Sequence, residues 1–327
     1  MRILLTIPSM TIPHGGTRVI MEWANRLTQW HDVFLYNEKP GLCNWFTLNG
    51  KVQIIQKIDV WIERVDCLII TSPHSIHHQD HPQCPKKVFI FLQMLEHMFH
   101  DGDDWRVKCE KFYESRHPMI LISKWNENVL REFYERKGDI YYVGNGVNTQ
   151  DFPIEISPKD GRTVLVEGWE GYNSAKDVDM IAPKVALRLR QEGYRVIAYG
   201  QVKLKTMPEA LDNYYYKPSL SLMNQLYSEA TILLKASRYD ARACAPVEAM
   251  TKGTVTARAI IEGDDDLEYG INCYKVPYSE ERLYNVAKII LTNEKIRNQM
   301  SAGCIEHVKK YSWDYWMNEI NNILCQD

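Results

Sequence analysis

Short, unbroken runs of Val, Ile and Leu alternate with longer amphipathic stretches along almost all of this 327-residue chain. Ile3–Ile7 is the first run. "GTRVIMEWANRLTQW" follows it, with Val19, Ile20, Trp23, Ala24, Leu27 and Trp30 recurring at helical spacing. "DVFLY", "CLIITS" (67–72), "KVFIFL" (87–92) and "MILIS" (119–123) are further strands. None alternates in polarity, as expected of strands buried on both faces. "KWNENVLREFYER" reads as a helix, and "IYYVGNGV" as a strand running into a turn at Asn145-Gly146. Strands of this kind joined by helices make a parallel sheet covered on both sides.

The stretch "FPIEISPKDGR" (152–162) interrupts the pattern with two prolines, an Asp-Gly turn and no helical period. It predicts an interdomain linker. The alternation then restarts through "TVLVEG", "AKDVDMIAPKVALRLRQEG", "RVIAYG", "SLSLMNQLYSEA", "TILLKAS" and "PVEAMTKG". Two successive doubly wound α/β domains follow as the simplest architecture. The last helix, "SWDYWMNEINNIL", carries Trp313, Trp316, Met317, Ile320 and Leu324 as an apolar stripe that needs a partner.

Composition narrows the functional classes. With 45% hydrophobic and 25% charged residues the chain is globular with ample core. A net charge of −3 gives no general pull toward nucleic acid or anionic lipid. No apolar run approaches the ~18 residues of a membrane span. The run in "MRILLTIPSM" is too short for a signal peptide and reads as a strand. The eight cysteines are scattered without a CxxC pair, so free thiols and a cytoplasmic protein are expected.

In parallel α/β sheets ligands gather at the carboxyl ends of strands. Four such ends carry candidate residues. In "PHGGTRV" (13–19), Gly15 and Gly16 permit close backbone approach, and a helix beginning near Thr17 supplies N–H groups beside Arg18. The pattern is not GxGxxG, and a plain glycine turn is the alternative. "SPHSIHHQDH" (72–81) holds four histidines, but no zinc spacing is present, so a solvated loop outweighs a metal site. His74 stands apart because it directly follows a strand. In "EGWEGYNSAKD" (167–177), Lys176 falls at a predicted helix start, a doubly positive spot suited to a diphosphate, with a surface lysine as the alternative.

The fourth end is "LLKASRYDARACAPVEAMTKG" (233–253). Its strand is expected to end at Ser237, before a loop with Asp240, Arg242, Ala243, Cys244 and Ala245. Glu248 follows in a first helical turn opened by Pro246. A carboxylate there can accept two hydrogen bonds from a diol; alternatively it serves only the helix dipole. "GDDDLEYG" (263–270) is the nearest acidic run and reads as a surface turn, so no metal-binding acidic pair is expected.

Taken in order, these segments resemble a retaining glycosyltransferase of the GT-B fold, similar to glycosyltransferase family 4, the glycosyl transferases group 1. The likeness covers nearly the whole chain. Ser237, Asp240, Glu248, Ala249, Met250 and Gly253 match its most specific motif. "ILISKWNENVLREFY…VGNGVNTQDF", "VFIFLQMLEHMF", "HGGTRV", "VLVEGWEGYNSAKD", "EYGINCYKV" and "YSWDYWMNEI" resemble its other segments. The resemblance implies two Rossmann-like domains facing a cleft. Residues 1–155 form the acceptor side, 156–310 bind the nucleotide-sugar, and a helix at 311–327 crosses back to the first domain.

By that resemblance Glu248 binds the ribose hydroxyls, while Asp240 and the loop N–H groups of Arg242, Ala243, Cys244 and Ala245 hold the transferred sugar. Lys176 and helix N-termini stabilise the leaving diphosphate, so neither metal nor cofactor is expected. Gly15, Gly16 and Arg18 join the donor site, His74 and Glu96 are catalytic candidates, and Gln93 and His97 contact acceptor or sugar. Three departures stand out. Asp240 replaces a glutamate, "ARACAP" lacks Gly-Phe-Gly, and "WEGYN" lacks an arginine that Arg242 or Lys205 would replace. The implied donor is a UDP-sugar and the acceptor a glycan or lipid-linked glycan. The alternatives are a DNA glycosyltransferase acting on hydroxymethylated pyrimidines, an epimerase or hydrolase of the same fold, and an inactive binding module. The near-neutral charge counts against DNA.

Overall fold

The computed structural model describes the whole chain apart from residues 12, 14, 99–101, 170–175, 266, 311 and 327. It divides into two compact units, Met1–Asn145 with Trp316–Asp327, and Gly146–Tyr315.

The first unit contains β1 (Arg2–Ser9), α1 (Gly15–Leu27), β2 (Asp32–Lys39), β3 (Gln53–Ile55), α2 (Ile58–Trp61), β4 (Cys67–Ile70), β5 (Lys87–Leu92), α3 (Asp103–Tyr113), β6 (Met119–Leu121), α4 (Lys124–Phe133) and β7 (Ile140–Tyr142). Its strands form a parallel sheet in the order β3-β2-β1-β4-β5-β6-β7. The order reverses between β1 and β4, which makes the carboxyl ends of these strands the natural ligand crevice. The apolar stripe of α1 is buried, and Trp23 stacks on Phe91 of β5 at 4.0 Å. The helix ends at Leu27, so Trp30, expected in that stripe, is 40% exposed. Ser123 caps α4 by accepting the Trp125 N–H, which is why "MILIS" yields a strand of only three residues.

The second unit contains β8 (Thr163–Glu167), α5 (Ile181–Gln191), β9 (Arg195–Gly200), β10 (Asn213–Tyr216), α6 (Leu220–Glu229), β11 (Ile232–Asp240), α7 (Cys244–Met250), β12 (Val255–Gly263), β13 (Cys273–Pro277), α8 (Glu280–Thr292) and α9 (Glu294–Lys310). The parallel sheet runs β10-β9-β8-β11-β12-β13.

The last helix, α10 (Trp313–Cys325), starts in the second unit and ends in the first. Within the first unit Trp316, Met317, Ile320 and Leu324 are buried. Tyr142 meets Trp316 edge-on at 5.8 Å, and the Lys87 ammonium donates to the Leu324 carbonyl at 3.1 Å. The stripe predicted from sequence therefore has its partner.

Residues 152–162 lie inside the second unit. The Glu155 N–H donates to the Thr251 carbonyl at 2.8 Å, and buried Lys252 to the Pro153 carbonyl at 2.7 Å. Lys159 reaches the carbonyls of Tyr227 and Ser228 and the Thr254 hydroxyl at 2.7–3.1 Å. A stretch without helical or strand period has thus become a strap, its fit supplied by lysines. Among the described residues no helix is long and apolar enough to cross a membrane.

Candidate functional site

The carboxyl edge of the second sheet is built by β11 and β12 running side by side to Asp240 and Gly263. Strand β11 does not stop at Ser237 as its polarity suggested. Pairing with β12 carries it to Asp240, so that acid belongs to the strand end and the loop is only 241–243. At Gly263 the backbone has φ +109°, and a Cβ would lie 1.6 Å from the Asp240 carbonyl oxygen. Only glycine fits such an approach.

Asp264 follows with φ +48° and is 1% exposed. Its N–H donates to the carbonyls of Asp240 and Ala241 at 3.0 and 3.1 Å, and its carboxylate accepts the Ala243 N–H at 2.8 Å. The run "GDDDLEYG" is therefore not simply a surface turn. Its first aspartate clamps the loop from below and occupies the Ala243 N–H.

Asp240 sits at the centre of a buried charge cluster. One carboxylate oxygen lies 3.2 Å from the Lys176 ammonium. The other lies 3.1 Å from the Arg258 guanidinium and 3.6 Å from the Lys235 ammonium. Lys235 also pairs with Glu167 at the end of β8, and Arg258 with Asp264 at 2.6 Å. Three cations thus meet three carboxylates, as buried charges require. Burial alone would raise the Asp240 pKa, but Lys176, Lys235 and Arg258 outweigh it and hold the carboxyl well below its ordinary range.

Lys176 is not at a helix start. Residues 170–175 of its glycine-bearing loop lie outside the described residues, and α5 begins only at Ile181. The first N–H groups of that helix, from Ile181 and Ala182, donate to Asp177 at 3.0 and 2.9 Å. An acid already occupies the helix terminus, so the expected doubly positive spot does not form. Lys176 is placed by Asp240 instead. Lys205 is exposed on the loop after β9, whereas Arg242 is buried at the mouth of the 241–243 loop. Two further cations, Lys235 and Arg258, are buried in the cluster itself.

Helix α7 begins at Cys244, two residues before Pro246, so Glu248 is its fifth residue and not in the first turn as expected; it is 7% exposed, and its carboxylate accepts the Tyr227 hydroxyl of α6 at 3.1 Å. Ala243 and Ala245 are buried and Cys244 is half-buried.

In the first unit α1 starts at Gly15, two residues earlier than expected. Gly15 is exposed, Arg18 is half-buried, and the Gly16 carbonyl accepts the Gln93 amide at 3.1 Å. Glu96 opens a short 3-10 turn over Glu96–Met98. Burial and the neighbouring charge of Glu38 push its carboxyl up to about 7. Glu38, at the end of β2, accepts a hydrogen bond from Ser75. His97 meets the Tyr113 hydroxyl at 3.2 Å, and its pKa is lowered by burial and by Arg106. The His74 ring lies tilted against Trp105, centroids 4.6 Å apart, and its pKa is lowered by burial and by Lys108 and Lys39. Both imidazoles thus favour the neutral form. Gln93 and Gly16 are brought together; Glu96 gains Glu38 as a neighbour that the sequence did not single out. Among the described residues no three His, Cys, Asp or Glu side chains are grouped as metal ligands.

Lys235, Arg258, Asp264, Glu167 and Tyr227 also escaped the sequence reading. A signal existed for two of them. Lys235 and Arg258 interrupt the apolar strands "TILLKAS" and "TVTARAII", and they are register partners on adjacent strands.

Two doubly wound units with a C-terminal segment returned to the first define the GT-B fold. Solved structures similar to this chain share it end to end. The sucrose-phosphate synthase of Thermosynechococcus elongatus aligns with TM-score 0.81 at 12% identity over 98% of each chain. Anabaena HepE, solved with UDP-glucose, aligns with TM-score 0.76 at 12% identity over 99% of each chain. WaaG, a glycosyltransferase of lipopolysaccharide biosynthesis, aligns with TM-score 0.73 at 14% identity over 99% of this chain and 100% of its own. No family model and no curated protein sequence matches the chain.

Proposed function

We propose that this protein is a glycosyltransferase that moves a sugar from a UDP-sugar donor to a hydroxyl of a glycan or lipid-linked glycan, with retention of anomeric configuration. The observation that carries this reading is a buried acid with three cations at the end of β11, followed after a three-residue loop by the helix that carries Glu248. Asp240 gathers Lys176, Lys235 and Arg258, while Glu248 is turned on α7 by a tyrosine. The end-to-end likeness to HepE, a protein solved with UDP-glucose, supports the donor class.

In this reading Glu248 takes the ribose diol as an ionised acceptor. Lys176 stabilises the charge that develops on the diphosphate as the glycosidic bond breaks. Asp240 fixes Lys176 at the sugar end of the donor. The same lysine makes a metal ion unnecessary. Glu96, held near neutrality, is suited to exchange a proton with an acceptor hydroxyl. The protein acts in the cytoplasm.

Calorimetric titration with UDP, ADP and GDP in the presence of a chelator tests the donor site. UDP is expected to bind without metal; failure of every nucleoside diphosphate, or binding only with magnesium or manganese, removes this reading. Retention is read by NMR, because the sugar released from UDP-glucose should first appear as the α anomer.

A further inference from the structure

Tyr227 has no part in the resemblance to known transferases, yet it is one of the largest fully buried side chains. Its hydroxyl donates to Glu248 Oε2 at 3.1 Å, and the Tyr199 hydroxyl lies 3.4 Å behind it. A phenol has one proton, and an ionised carboxylate is the stronger acceptor. The proton of Tyr227 goes to Glu248, which leaves the Tyr227 oxygen able to accept from the Tyr199 hydroxyl. Donors aligned head to tail in this way polarise one another.

The rest of Tyr227 is equally fixed. Its carbonyl accepts from Lys159 at 3.1 Å and from the Thr254 hydroxyl at 2.6 Å. Its ring packs 5.9 Å from Phe152. These contacts immobilise α6 at the point where it faces α7, so the hydroxyl has one place to point.

Resting on the reading that Glu248 binds ribose, we propose that Tyr227 is a positioning residue, with Tyr199 behind it, that sets the Glu248 carboxylate for the ribose diol before the donor arrives. A free glutamate side chain loses rotamer entropy when it is fixed. Here that ordering is completed during folding, and ligand binding does not bear it. The Tyr227 hydroxyl holds Oε2 from the protein side and so narrows the orientations in which the carboxylate can meet two vicinal hydroxyls.

Tyr227→Phe keeps the ring and removes only the hydroxyl. Its UDP dissociation constant, measured by calorimetry, should rise about threefold to tenfold. That of 2′,3′-dideoxy-UDP, which lacks the diol, should not change. In turnover of UDP-glucose the loss should fall on KM. In a Glu248→Ala background Tyr227→Phe should add nothing, since the carboxylate it positions is gone. Tyr199→Phe should show a smaller loss of the same ribose-dependent kind, and it serves if Tyr227→Phe folds poorly. Unchanged UDP affinity in Tyr227→Phe overturns the inference. So do equal losses for UDP and the dideoxy analogue, or full additivity with Glu248→Ala. A wild type that binds both nucleotides equally removes the ribose role of Glu248 itself, and the inference with it. A wild type that binds neither removes the donor reading as a whole.

Discussion

Replacing Asp240 by asparagine changes almost no volume and removes one buried negative charge. The three cations around it lie at 3.1, 3.2 and 3.6 Å. At an effective dielectric of ~20 each contact is worth about 5 kcal/mol of Coulomb energy. Most of that sum offsets the several kcal/mol each ion loses on leaving water. What remains when one partner is deleted is the cost of buried cations short of a counterion, about 3–5 kcal/mol.

For a unit the size of Gly146–Tyr315, Tm should fall by roughly 6–20 °C at pH 7, read by circular dichroism. The pH dependence separates this cause from simple misfit. The folded-state pKa of Asp240 is lowered below its ordinary 3.8, so its contribution is present above pH ~4 and is lost as pH falls through the folded value. The gap between wild type and Asp240→Asn should therefore be flat from pH 7 to ~4 and close below that. A variant as stable as wild type at pH 7, or a gap that stays constant in acid, would refute the electrostatic account.

Glu248→Ala should weaken UDP binding tenfold or more, since each charge-assisted hydrogen bond is worth about 1.5–3 kcal/mol; equal affinities by calorimetry would contradict this. Gly263→Ala drives a methyl group into the Asp240 carbonyl at a left-handed backbone position, so its urea midpoint should drop by the equivalent of more than about 2 kcal/mol, and a normal midpoint would show that the clamp is dispensable. Glu96 has its folded-state pKa raised from 4.5 to about 7 by burial and Glu38. Wild-type stability should accordingly decline as pH rises through that window. Glu96→Gln should flatten this part of the curve, and urea midpoints at pH 5 and 8 with an unchanged difference would reject it.

The fold was legible because its signal is repetitive. Each buried strand declares itself by an unbroken apolar run, and each helix by its stripe. Legibility failed where a residue's role depends on a partner far away in sequence. Asp240 reads as a loop residue because "SRYD" is polar, and only pairing with Glu262 and Gly263 makes it strand. Lys176 reads as helical because Asp177 looks like a helix residue, when it is in fact the acid that caps α5 from outside. The 152–162 stretch reads as a linker because prolines suppress periodicity. Its ties, from Lys252 to Pro153 and from Lys159 to Tyr227 and Thr254, cross roughly 70 to 100 positions and leave no local mark.

The shortened acid and the charged strands are best understood as one feature. Lys235 and Arg258 are neighbours in register, and two like charges side by side on buried strands repel. A carboxylate at the end of β11 relieves that repulsion only if it stays close to the strand. Aspartate does so, whereas a glutamate would carry its carboxylate about 1.5 Å farther out. The same short acid draws in Lys176 from the loop before α5. Asp240 therefore couples the strand cations to Lys176, and the 241–243 loop is held from beneath by Asp264, which Arg258 holds in turn. At this edge the strand cations, the aspartate that holds them and the Asp264 clamp under the loop thus form one connected set of contacts, and removing any member leaves a buried charge short of its partner.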